Sequence, residues 1–210
     1  MDKFVLDTNL FFNMEAGLEL GKKTEEVVVG LTEKAVKLKK NSKAEFLIPP
    51  RAVEEFLSFF EDKNQGFLKN FLSAVTVKSP DTAKIQFPAD VFYKLVEDIR
   101  GRSYRGLAVG EEEIASAARL MSGSGKDLSK KDFEIKIGVV IKKFRERYRN
   151  ATRTGFLDSL TDLDLIALSA EQDAYLVTTD EGVLKWGRIF GVKEMPSLAF
   201  RKRLEDLLVG

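Results

Sequence analysis

The chain contains no histidine and no cysteine among its 210 residues. Together these absences exclude Ser-His-Asp and Cys-His nucleophilic catalysis, imidazole acid–base chemistry, His/Cys zinc sites, iron–sulfur clusters and disulfides. Only Phe4, Val5 and Leu6 separate Lys3 from Asp7, too short a run for the apolar core of a signal peptide. No window approaches the roughly 18 consecutive apolar residues of a membrane span. With no disulfide framework to support an extracellular setting, the expected location is the cytoplasm and no membrane partner is expected. Any chemistry must run on carboxylates, Lys, Tyr, Ser/Thr or an oxygen-bound metal.

Hydrophobic residues make up 44% and charged residues 32%, a composition able to form a core beneath a heavily charged surface. The net charge is only +1, so overall balance points to no partner. Its distribution is more informative. Between Lys126 and Arg153 stand ten basic and four acidic residues, a local excess of six positive charges that leaves the remaining chain at −5. A basic arm beside a mildly acidic body suits an acidic polymer as ligand, although a solvated helix face in a Lys/Glu-rich protein has the same composition.

Lys3 to Leu6 is a short apolar run ending at an acid, as in a buried strand. Helical spacing of Val27, Val28, Leu31, Ala35 and Leu38 predicts an amphipathic helix over 24–41, and a second strand spans 45–48. Pro50 suits the first turn of the next helix, which carries Val53, Phe56, Leu57 and Phe60. A helix over 67–74 and a strand over 75–77 follow, and 80–88 reads as a connector.

Beyond it the pattern predicts helices at 90–99, 111–121 and 130–149, with turns at Gly101–Gly106 and Ser122–Gly125 and a capping box formed by Ser129 and Asp132. Alternation then resumes: a helix from about Asp158 or Thr161 to Glu171, a strand at 175–178, a helix opened by Asp180, a weak strand at 192–194, and a last helix from Pro196. Strands separated by helices imply a parallel α/β sheet covered on both faces. Residues 88–152 read as one helical insertion into a domain formed by 1–87 and 153–210.

Asp7 and Asp180 each end a strand, in Phe-Val-Leu-Asp-Thr-Asn and Leu-Val-Thr-Thr-Asp. Ligands of open α/β sheets bind beyond the carboxyl ends of strands where the connection order reverses, so two such acids can converge. An Asp after a strand also serves as a helix N-cap or turn former. Asp158 and Asp162 are four apart, which on a helix places both carboxylates on one face; first-turn acids favoured by the helix dipole give the same pattern. Four carboxylates in one crevice suit Mg²⁺ or Mn²⁺ better than Zn²⁺, and such a site suits phosphodiester hydrolysis. Thr8, Asn9 and Thr179 could hold the acids or waters, or act simply as turn residues.

On these residues the sequence resembles the PIN-domain nucleases: the opening Phe4-Val5-Leu6-Asp7-Thr8-Asn9, the helix–sheet alternation, and a late block in which Asp162 precedes Asp180 by 18 residues. The resemblance implies a PIN-like three-layer α/β/α sandwich with a parallel sheet and an inserted helical hairpin. It implies RNA cleavage with Mg²⁺ or Mn²⁺. The chain is most similar to the RNA-free ribonuclease P group called HARP, also described as RNA ligase partner proteins, in its length, its helical insertion and the set Asp7, Asp158, Asp162 and Asp180.

That likeness implies endonucleolytic removal of the 5′ leader of precursor tRNA, homo-oligomers built through the insertion, and phosphate contacts from Lys142, Lys143, Arg145, Arg147, Arg149 and Arg153. It also implies a further acid on the helix after the second strand, where Glu54 and Glu55 compete and Glu54 is favoured. The alternatives are a PIN nuclease for another RNA, such as a toxin or ribosomal RNA processor, and a PIN-like scaffold that binds RNA without cutting it. The insertion argues against a minimal toxin, and gathered acids argue against a binder of polyanions.

Overall fold

Phe4, Val5 and Leu6 are all fully buried, as a strand covered on both faces requires. They belong to β1 (Asp2–Leu6), the central strand of a five-stranded sheet in the computed structural model, which describes residues 1–13, 18–122, 129–157 and 159–209. The described chain falls into two compact units, residues 1–87 with 157–210, and residues 88–156.

In the first unit β1 is followed by α1 (Asn9–Phe12), α2 (Thr24–Lys40), β2 (Ala44–Ile48), α3 (Pro50–Ser58), α4 (Gly66–Ala74) and β3 (Thr76–Val77). After the second unit the chain returns with α7 (Leu160–Gln172), β4 (Tyr175–Val177), α8 (Glu181–Ile189), β5 (Lys193–Met195) and α9 (Ser197–Val209). The strand order is β3-β2-β1-β4-β5 and every pairing is parallel. Chain order runs outward from β1 in one direction through β2 and β3, and in the other through β4 and β5. The reversal therefore falls between β1 and β4, where the connections leave a crevice at the carboxyl ends of the strands.

Register brings aromatic side chains together on one face of the sheet. Phe4 lies opposite Phe46 and Tyr175, stacks on both at 5.5 and 5.9 Å, and meets Phe200 of α9 edge-on at 5.1 Å. The other face is covered by α7, whose Leu165, Ile166 and Leu168 are fully buried. A second aromatic cluster joins α1, α3 and α4 through Phe11, Phe56 and Phe71, with centroids 5.1 to 5.3 Å apart. This is the mixed α/β architecture with a parallel sheet that the sequence pattern implies.

The second unit is an antiparallel pair, α5 (Asp90–Ser122) and α6 (Lys130–Arg153). α5 is one continuous helix, so the expected turn at Gly101–Gly106 is overturned. The reason lies in packing: a Cβ on Gly106 would come within 2.8 Å of the Tyr148 ring and 3.1 Å of the Thr152 methyl, so this glycine allows α6 to approach closely. Four residues earlier the Arg102 guanidinium is buried. It donates to the carbonyls of Thr152, Thr154 and Gly155 at the end of α6, pairs with Asp98 and lies 4.5 Å from the Phe156 ring centre. A cation on the last carbonyls of a helix complements its dipole. Ser129 caps α6 as expected, its Oγ accepting from the Asp132 N–H at 3.2 Å. Residues 123–125 of the expected Ser-Gly turn lie outside the described residues.

Candidate active site

β1 ends at Asp7, whose N–H donates to the Val177 carbonyl at 3.0 Å and extends the ladder toward β4. The side chain enters the crevice nearly sealed from solvent, with 3% of the residue exposed. Thr178 Oγ1 and Asn9 Nδ2 donate to Oδ2, the latter at 3.2 Å; the Asn9 N–H and Thr8 Oγ1 donate to Oδ1 at 3.3 and 3.4 Å. Burial pushes the Asp7 carboxyl up from its ordinary value; the Thr178 and Asn9 hydrogen bonds oppose this, and the charge of Asp180 adds to it.

Asp180 stands three residues beyond β4, at the start of α8, and is tied to Asp7 through one hydroxyl. Its N–H donates to Thr178 Oγ1 at 3.0 Å, and that hydroxyl in turn donates to Asp7. Asp180 Oδ1 also caps α8, accepting from the N–H groups of Gly182 and Val183 at 2.6 and 3.1 Å. The capping and site readings of Asp180 are therefore compatible. The threonine that links the acids is Thr178, not Thr179. Its place two residues before Asp180, on the same side of an extended chain, is the signal that could have identified it.

On α3, Glu55 rather than Glu54 faces this crevice. Its carboxyl is pushed up by desolvation and by the charge of Asp7, against a hydrogen bond with Thr161. Successive helix positions diverge by about 100°, so Glu54 cannot share that direction. Glu54 is thereby corrected to Glu55. One turn earlier, Arg51 donates to Asp164 Oδ2 at 2.6 Å, bracing α3 against α7. Sequence reasoning missed this brace because 113 residues separate the partners.

α7 begins at Leu160, with Ser159 as an extended N-cap whose Oγ accepts from the Asp162 N–H at 3.0 Å. This start removes the helix-spacing argument for the pair 158 and 162, and Asp158 itself lies outside the described residues. Asp162 is in the first turn beside Thr161, the partner of Glu55, so this end of α7 opens toward the acids. Among the described residues no group of three or more acids is drawn close enough to hold a metal ion. The Asp180 charge acts on Asp7 and the Asp7 charge on Glu55, and the Asp7 oxygens are turned onto Thr178, Thr8 and Asn9. The donor set is nonetheless all hard oxygen. Mg²⁺ commonly takes only one or two carboxylates, keeping water and substrate phosphate for the rest.

The basic residues of α6 divide between two faces. Lys143 and Arg147 turn to α5, where Glu113 Oε1 pairs with them at 3.2 and 2.6 Å; Arg147 also pairs with Glu112. Lys142, Arg145 and Arg149 instead line one shallow depression with Glu146 and Asn150. Arg153 occupies the last turn of the helix.

A model of the PINc domain ribonuclease family matches residues 3–209. A protein of Thermodesulfovibrio yellowstonii described as RNA-free ribonuclease P is 34% identical over 91% of this chain and 87% of its own length. Proteins of the same description match from Thermococcus kodakarensis, at 34% over 98% of this chain and 96% of the relative, and from Alkalilimnicola ehrlichii, at 32% over the whole of both. The family match and these relatives make the chain a PIN-type endoribonuclease, a hydrolase of RNA. Within that class, the chain belongs to the RNA-free ribonuclease P family.

Proposed function

We propose that the chain removes the 5′ leader of precursor tRNA by hydrolysis at the Asp7 crevice, with Mg²⁺ or Mn²⁺ as cofactor. The observation that carries this reading is like charge gathered at the switch point: the Asp180 charge acts on Asp7, the Asp7 charge acts on Glu55, and both of these carboxyls are pushed up. Asp7 and Asp180 supply the oxygen ligands, with Asp162, Asp158 and Glu55 as the further acids. Thr178 orients Asp7, and Asn9 at the start of α1 and Thr8 just before it hold the same carboxylate.

When bound, a divalent cation supplies charge neutralisation at the phosphate and a more acidic water. Attack by the water oxygen on phosphorus with departure of the 3′-oxygen leaves a 5′-phosphate on the tRNA and a 3′-hydroxyl on the leader. Lys142, Arg145 and Arg149 are the members of the basic set best placed for RNA phosphates, because Lys143 and Arg147 are engaged with Glu113.

A homo-oligomer through the helical unit fits its surface. α6 has no buried residue; Phe133, Ile135, Val139 and Ile141 are exposed, and an apolar groove of about 300 Å³ lies between α5 and α6. No helix among the described residues is long and apolar enough to cross a membrane, and the proposed setting is the cytoplasm. In the deciding experiment 5′-labelled precursor tRNA is incubated with the purified protein and Mg²⁺ or EDTA. A single cut at the mature 5′ end, lost with EDTA, is expected. Cleavage of other RNAs but not of this one, or tight binding without product, overturns the reading. Light scattering at micromolar concentration tests the assembly, and a monomer counts against it.

A further inference from the structure

Two aromatic rings lie one helical turn from residues of the acid site, each on the element that supplies that residue. α1 carries Asn9, bonded to Asp7, and then Phe12. α3 carries Glu55, which feels the Asp7 charge, and four positions later Phe59, whose φ of −77° and ψ of −9° continue the helical path. Arg51, Glu55 and Phe59 are therefore at i, i+4 and i+8, one stripe of cation, acid and ring. The rings of Phe12 and Phe59 meet with centroids 4.2 Å apart and planes tilted by 37°.

A single exposed phenylalanine is ordinary on a protein surface. This one is braced. Phe12 also contacts Phe56 at 6.0 Å and Phe60 at 6.1 Å, and Phe56 is sealed in the core against Phe11 and Phe71. Phe59 nevertheless remains 59% exposed. Resting on the reading that RNA is cut at these acids, we infer that Phe59, backed by Phe12, is a stacking platform for one unpaired nucleobase of the substrate beside the scissile phosphate.

The occupant follows from position and charge. Phe59 stands one helical turn, ~5.4 Å along the axis, beyond Glu55, a spacing of the order of one nucleotide step; successive stacked bases are ~3.4 Å apart and splayed ones further. Arg51, whose side chain stays 51% exposed beside its bond to Asp164, places positive charge on the same stripe for a polyanion. A protein or lipid seated on this stripe would cover Glu55 as well as the rings. Phenylalanine has no polar atom with which to read a base edge, so the platform accepts any base.

The test uses the full chain and precursor tRNA carrying 2-aminopurine at successive positions across the cleavage site. In the inert Asp7→Asn background, fluorescence should be quenched at one position, and Phe59→Leu should abolish the quench while Phe59→Trp keeps it. With unlabelled RNA, Phe59→Leu should raise KM about fivefold to tenfold, the low end for loss of one stacked base. An abasic site at the quenched position should impose a loss of that size on the otherwise unchanged protein and none further on Phe59→Leu. A Phe59→Leu chain with the original quench and KM overturns the platform. Absence of any cut by the unsubstituted protein defeats the cleavage reading alone, since the Phe59-dependent quench is read without cleavage; absence of that quench overturns the platform in either case.

Discussion

Asp7 in the nuclease unit and Glu113 in the helical unit are equally hidden, each with 3% of the residue exposed, yet their surroundings are opposite. Glu113 sits between Arg147 and Lys143, and the Arg147 hydrogen bond draws its carboxyl below the ordinary value. Asp7 is held by neutral hydroxyl and amide donors and faces Asp180, so its carboxyl moves up. A buried carboxylate matched with cations holds helices together. One left without a cation, among other acids at a switch point, is kept for something that arrives from outside. The contrast separates site from scaffold better than the density of charge does, because the strongest charge run in the sequence lies on α6.

The largest effect should appear on breaking this contrast directly. Asp7→Asn should lower RNA cleavage about 10³-fold, the size of loss seen when a principal electrostatic catalytic group is removed, with the fold retained. Glu113→Gln should leave the cleavage step intact and instead loosen the α5–α6 pair, read as faster amide exchange along both helices. Equal losses of cleavage in the two variants would erase the distinction. Glu55→Gln and Glu54→Gln refine it: the first should reduce the rate by about tenfold or more, within the range of a positioned acid–base group, and the second should leave it near the starting value.

A smaller effect is the opposite response of the two units to pH, measured in EDTA. Asp7 has a folded-state pKa raised above its ordinary 3.8. Its contribution to stability is fully present below that ordinary value and is lost as pH rises through the raised folded value. Glu113 is lowered from 4.5, so its contribution is present above 4.5 and lost as pH falls through the lower folded value. Glu171 in the nuclease unit is lowered too, which confines the clean window for Asp7 to pH above about 4.5. The one tryptophan, Trp186, is buried in α8 and reports the nuclease unit. Its urea midpoint should rise as pH falls from neutral toward 4.5, with a flatter slope in Asp7→Asn. Amide exchange in α5 and α6 should stay level until below 4.5. A Trp186 midpoint that falls over the same interval would reverse the sign assigned to Asp7.

Features set by neighbours along the chain could be read from the residues: a strand that stops at Asp7, the Ser129 cap, the parallel sheet. Features set across the chain could not. Gly101 and Gly106 look like a turn until Tyr148 and Thr152 of the facing helix show why a side chain is forbidden at Gly106. Glu54 and Glu55 are indistinguishable until the direction of α3 relative to β1 is known. Thr178 reads as strand rather than site because its role depends on Asp7, 171 residues away. Lys143 and Arg147 count as positive charge in the sequence, but Glu113 on the opposite helix engages both.

The finest comparison uses two serines in the same structural position. Ser129 caps α6 and Ser159 caps α7, each Oγ accepting from the N–H of the Asp three residues on, at 3.2 and 3.0 Å. Replacing either by Ala removes the same hydrogen bond and should destabilise by about 1 kcal/mol. Their consequences for cleavage should differ. Asp132 lies in the helical unit, whereas Asp162 is fixed by its cap at the end of α7 that carries Thr161, the partner of Glu55. Ser159→Ala should therefore weaken the apparent affinity for Mg²⁺ in the cleavage assay in addition to its stability loss, while Ser129→Ala shows the stability loss alone. Identical Mg²⁺ dependence in the two variants would mean that the first turn of α7 does not position an acid of the site, and Asp162 would then be only a favourable charge at a helix start.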